Sequence, residues 1–218
     1  GTFGLLLPVY LTVAHRMFPF FAANAVPGYV AWRPMWVLAA AWALAMAHLV
    51  LELLHAHAWL WLVDLPMLAL SLAVLWRWWP RGQAPGLLWV LFVGLLWWPV
   101  TFALFSAQSL AYLLTDAFIL GRAPAHALFI GVFGSLLVAM VSRVTQGHSG
   151  RPLRMYGLAW WAFVGIQVAT VLRVAAEVAT DMQLWQALAA LAWLGALAPW
   201  VARIGRIYLS PRVDGKPG

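Results

Sequence analysis

The chain has 218 residues, of which 65% are hydrophobic and 9% charged, with a formal net charge of +7 and no cysteine. A soluble domain is about half apolar and a quarter charged, so this composition excludes a soluble core. The basic residues are spread over short loops and a tail, which excludes a nucleic-acid footprint on one face. Without cysteine there are no disulfides, thiolate-held metals, iron-sulfur clusters or covalent haem attachment.

The apolar stretches predict an all-α, polytopic transmembrane bundle of about seven segments, read as a single transmembrane domain over 1–218. The first stretch ends near Ala14, short of the roughly 20 residues that cross a bilayer. It therefore reads as a truncated helix and the chain as the C-terminal part of a longer protein. No signal peptide is legible at the start. Pro19, Pro27, Gly28 and Pro34 predict an irregular loop over 15–34. Helices are expected over 35–54 and 59–79, and the tight segment at 55–58 makes them an antiparallel hairpin. A fourth helix is expected over 87–107 with room to reach Tyr112, then further helices over 124–142, 156–175 and 184–202. Pro66, Pro99 and Pro199 fall inside predicted spans, where each frees a carbonyl. Gly131, Gly134 and Ser135 give the fifth helix a small-residue strip for close approach.

Loop charge sets the expected orientation. Arg16, Arg33, Arg77, Arg81, Arg143, Arg151, Arg154, Arg203, Arg206, Arg212 and Lys216 fall in the odd connections and the tail, whereas the even connections keep only Arg122 and Arg173. Lys and Arg are retained on the cytoplasmic side during insertion, so the odd connections and the C-terminus are expected in the cytoplasm. Glu52, Asp64, Asp116, Glu177 and Asp181 lie on or near the outer side. Many of the tryptophans, among them Trp36, Trp59, Trp78, Trp98 and Trp161, are expected as interfacial anchors.

Imidazole and carboxyl groups within a span cost several kcal/mol unless paired, so each is a candidate for function. At helical spacing His48, Glu52 and His55 line one stripe of the second helix. Asp64, Asp116 and His126 come from elements that begin on the same outer side. His48 and His55 would lie about 10 Å apart along the axis, too far to clamp one iron, so each needs its own partner. Neutral imidazole suits iron and copper alike, and Glu52 could orient either ring. The alternative is a structural Glu–His pair that binds nothing. His55 and His57 could share a copper ion or simply be solvated. On the cytoplasmic side HRMFPFF (15–21) and RVTQGHSGR (143–151) set His15 and His148 beside Arg16, Arg143 and Arg151. These arginines suit haem propionates, or serve as ordinary positive-inside anchors.

HRMFPFF, the outer Asp116, HALFIGVFGSLLVAM (126–140), RVTQGHSGR and the tail YLSPRVDGKPG (208–218) together resemble the NnrS family of bacterial inner-membrane proteins. The order and spacing of these motifs agree over nearly the whole chain. Family members are about twice as long, with about twelve crossings of about 20 residues each, so the resemblance is to their C-terminal half. Ser149 stands where similar proteins often have threonine, which keeps the hydroxyl.

The resemblance implies non-covalent, b-type haem and copper, and a role in the response to nitric oxide and nitrosative stress. His15, His126 and His148 are carried over because they sit in matching motifs, whereas His48 and His55 rest on the helical stripe. The cofactor-binding candidates are thus His15, His48, His126, His148, Arg16, Arg143 and Arg151, with His48, His55 and His126 as metal ligands. Membrane lipid, nitric oxide and respiratory or denitrification components are the expected partners. No nucleophile–base constellation or phosphate-binding loop is legible, so catalysis stays open. The rival readings are a permease for a small solute or metal ion and a cofactor-free subunit of a respiratory complex.

Overall fold

The computed structural model describes residues 2–215, with side-chain surroundings from Leu6 onward. Lys216 and the last two residues of the tail motif lie outside the described residues. The described chain is helical, without strand, and carries seven segments long and apolar enough to cross a membrane. This is a multi-pass membrane protein.

The helices in order are α1 (Thr2–Ala25), α2 (Met35–Leu53), α3 (Trp61–Trp78), α4 (Gly86–Leu95), α5 (Trp97–Thr115), α6 (Ala123–His126), α7 (Ser135–His148), α8 (Gly157–Ala175) and α9 (Met182–Tyr208). A single 3-10 turn, His57–Trp59, precedes α3, and a π-helical stretch, Ala127–Gly134, joins α6 to α7. The described residues fall into two compact units. The first comprises 1–84 and 96–124, the second 85–95 and 125–218.

In the first unit, α1 corrects the expected interruption near Ala14: the helix continues through Pro19 to Ala25, and its apolar part is of spanning length. Within a bundle, neighbouring groups and local adjustment satisfy what a proline frees, so a proline need not end a membrane helix. His15 and Arg16 therefore lie inside a helix, not in a loop. The irregular segment shrinks to 26–34. It is pinned at Tyr29, whose hydroxyl donates to the Trp78 carbonyl at 2.9 Å and is pushed up to about 12 by burial. Trp78 donates in turn to the Trp32 carbonyl at 2.8 Å.

Trp78 and Trp98 are only 2% and 3% exposed, so these two rings are core and not the expected interfacial anchors. Trp36, Trp59 and Trp161 are exposed, as an anchor must be. The expected fourth helix is two helices, α4 and α5. Pro99 has no N–H to give the Leu95 carbonyl, and the α-helical pattern lapses at Leu96.

The second unit is built on close approach. A Cβ at Gly94 would come within 2.7 Å of Ser135 Cβ, so α4 meets α7 at the expected small-residue strip. A Cβ at Gly165 would lie 2.2 Å from Ala196 Cβ, which sets α8 hard against α9. Helix association in lipid relies on such contact, because apolar burial gains little against lipid tails. α9 is 27 residues long and passes through Pro199. The carbonyl that Pro199 leaves unbonded is that of Gly195, and the Trp161 indole donates to it at 3.0 Å. Trp161→Phe removes that donor and keeps the ring, so a loss of about 1 kcal/mol is expected, read as a lower thermal midpoint in detergent.

Candidate functional site

Among its described residues the first unit holds a buried ionisable pair. His48 of α2 and Asp64 of α3 are 2% and 0% exposed, and Nδ1 of His48 stands 2.7 Å from Oδ1 of Asp64. The hairpin explains the meeting: both residues lie eight positions from Ala56, so an antiparallel return brings them level. Phe105 of α5 sets its ring edge-on to the imidazole at 4.9 Å. With Asp64 accepting from Nδ1–H, the neutral ring carries its lone pair on Nε2, the arrangement in which metal-bound histidines are oriented. Asp64 Oδ2 is buried and has no hydrogen-bond partner.

The stripe of His48, Glu52 and His55 is corrected at its C-terminal end. α2 stops at Leu53, and His55 takes a left-handed conformation at φ 55°. The Ala56 N–H bonds to the Leu51 carbonyl and the His55 N–H to that of Glu52, closing the helix by a Schellman turn. His55 is thereby exposed and off the helical face. Glu52 instead approaches His57, with Oε1 3.9 Å from Nδ1. The rings of His55 and His57 are 5.9 Å apart at an angle of 80°. Asp116 ends α5 in a left-handed, exposed position.

His15 is buried in α1, with Nε2 3.2 Å from the Pro34 carbonyl and its ring 6.1 Å from that of Trp78. It braces the 26–34 segment. Arg16, one residue on, is exposed.

In the second unit His126 closes α6, immediately before the π-helical stretch. Its Nε2 is 3.7 Å from Glu177 Oε1, which accepts from Arg173 Nη1 at 2.6 Å. Glu177 is the partner that sequence reasoning missed. The spacing of Arg173 and Glu177 at i, i+4 was the available signal for their pair, but not for the third member. Arg143 is half-buried within α7, and His148 is the exposed last residue of that helix. The His148 carbonyl accepts from Arg212 Nη1 at 2.8 Å, and the Val213 N–H bonds to the Ser149 carbonyl, so the tail packs back on the motif 143–151. Arg151 has a buried Nη1 without a hydrogen-bond partner.

Among the described residues no group of three or more His, Asp or Glu comes together to hold a metal ion. The arrangement offers single imidazoles, His48 oriented by a carboxylate and His15 by a carbonyl, with His57 and His126 each near a glutamate. No curated protein and no solved structure matches the chain. A family model described as NnrS protein matches residues 1–212. With nearly its whole length matched, as the motifs of 15–21, 126–140 and 143–151 lead one to expect, the chain belongs to the NnrS family.

Proposed function

We propose that this NnrS-family chain is a haem or copper protein of the nitric-oxide response, with His48 as a metal-binding imidazole oriented by Asp64. The observation that carries the reading is the 2.7 Å contact between two buried groups inside the first unit. Desolvating such a pair costs several kcal/mol, and replacement by apolar residues is often neutral or stabilising. The presence of the pair is therefore understandable if it serves a ligand. The residues fit one imidazole ligand per centre, with Asp64 against Nδ1 of His48 in the manner of the carboxylates that orient metal-bound histidines. A bound iron or copper would supply the open coordination position that a diatomic gas requires.

His126, beside Glu177, is the second candidate ligand, and His55 with His57 the candidate copper site near the end of α2. His15, His148, Arg16, Arg143 and Arg151 are the further cofactor-binding candidates, the arginines as partners for haem carboxylates. The distribution of Lys and Arg supports a cytoplasmic C-terminus, and the family resemblance a bacterial inner membrane. In that setting respiratory or denitrification components are the fitting partners.

Full-length protein purified in detergent tests the reading. A Soret band or stoichiometric copper is expected, and His48→Ala lowers that content severalfold while Gly195→Ala, where an added Cβ meets nothing within 4 Å, serves as the comparison. Unchanged haem and copper in both His48→Ala and His126→Ala would refute the assignment. The buried His–Asp pair inside a span also suits a permease for a small solute or metal ion. That reading predicts a colourless, metal-free protein that still moves its solute into proteoliposomes.

A further inference from the structure

We propose that the C-terminal turns of α9 and Arg151 form a binding site for the phosphate of an anionic membrane lipid. Arg151, Arg203, Arg206 and Ser210 line a cavity of about 500 Å3 in the second unit, floored by Pro199 and Ile207. No Asp or Glu lines it. Among the described residues none of these three arginines makes an ion pair. Arg151 Nη1 is moreover buried with its hydrogen-bonding capacity unused. A buried guanidinium nitrogen without an acceptor costs free energy that a bound anion recovers.

Three guanidinium groups around one cavity also repel each other, and a phosphate oxygen cluster removes the repulsion while accepting their N–H groups. The site is partly preorganised. Arg203 lies 4.5 Å over the ring of Tyr156, and Arg203 and Arg206 stand three apart on α9, a spacing that puts neighbours on one helix face.

The occupant is a lipid and not a soluble anion because of where the cavity sits. Its α9 residues belong to a segment long and apolar enough to cross a membrane, Met182–Tyr208, and lie in the last turns of that segment. Further back on the same helix Leu188 and Leu191 are exposed and apolar, and at about 100° per residue they lie within about 60° of Arg206 around the axis, a surface suited to acyl chains on the cavity's side. Arginines at the end of a span with exposed aliphatic side chains before them match the headgroup and chains of a single lipid molecule. Basic pockets at the cytoplasmic ends of membrane helices take cardiolipin and related headgroups in this way.

The test is native mass spectrometry of the delipidated full-length protein with cardiolipin, phosphatidylglycerol or phosphatidylcholine added. The parent is expected to retain the anionic lipids over phosphatidylcholine, and Arg151→Gln and Arg206→Gln each to reduce that preference about fivefold. Arg206→Lys keeps the charge and retains most of it, which separates loss of binding from loss of folding. Arg81→Gln, an arginine of the first unit, leaves the preference unchanged. Equal retention of anionic and zwitterionic lipid by the parent overturns the proposal. So does full competition by millimolar inorganic phosphate, which would make the site one for a soluble anion. Haem or copper content of Arg206→Gln is expected to equal that of the parent, and its loss in step with lipid would assign the arginines to the haem carboxylates instead.

Discussion

Gly165→Val is expected to separate α8 from α9 and to lower the thermal midpoint of the detergent-solubilised protein by on the order of 10 °C. A Cβ at this position meets Ala196 Cβ at 2.2 Å and Ala196 Cα at 3.4 Å. The obstruction is partly backbone, so no rotamer change relieves it and one helix must move. Overpacking of this kind costs about 1–3 kcal/mol, more when two extra methyl groups follow the Cβ. α8 and α9 make the most extensive helix–helix contact of the second unit, so the shift spreads along both helices. Gly195→Ala provides the comparison, because nothing lies within 4 Å of a Cβ there. Thermal unfolding followed by size-exclusion chromatography distinguishes the two. A Gly165→Val midpoint within the error of the Gly195→Ala midpoint would show that the helices do not approach at this glycine.

Asp64 separates structure from ligand binding by the choice of replacement. Asp64→Ala leaves the His48 Nδ1–H without its acceptor in a site that is closed to solvent, and a loss of about 2–3 kcal/mol in stability is expected. Asp64→Asn keeps an oxygen to accept that bond and is expected to fold almost as well as the parent. It nevertheless removes the carboxylate charge that raises the basicity of the far nitrogen. Haem or copper affinity should therefore fall about 10–100-fold in the asparagine variant, measured by titration of the apo protein in detergent. Parent-like affinity in Asp64→Asn, together with instability in Asp64→Ala, would make the pair a structural brace alone.

The meeting of His48 with Asp64 was partly legible beforehand. Two apolar helices joined by the tight segment 55–58 must return antiparallel, and equal distance from Ala56 sets the two residues at one height. Facing is a matter of helix rotation, which height does not determine. Glu52 was the more obvious partner on spacing, yet α2 unwinds one residue later and turns it towards His57. His55 left the stripe for the same reason: the helix stop lies in a backbone hydrogen-bond pattern that residue spacing does not reveal.

Pro19 misled in the opposite sense. In water a proline inside an apolar run usually marks a helix boundary, but in α1 the helix passes through it and carries His15 to the Pro34 carbonyl. The π-helical stretch Ala127–Gly134 had no clear signal beyond its two glycines, although one extra residue per turn changes the face that every later side chain presents.

Hydropathy and charge by themselves determined the class, the number of spans and the expected orientation, because transfer into lipid is a sum over residues and needs no knowledge of neighbours. Tertiary structure alone decided which imidazole meets which carboxylate, where α8 touches α9 and which arginines share a cavity. Those outcomes depend on helix rotation and register to within about one residue, about 1.5 Å of rise and 100° of turn. Composition carries no information at that scale.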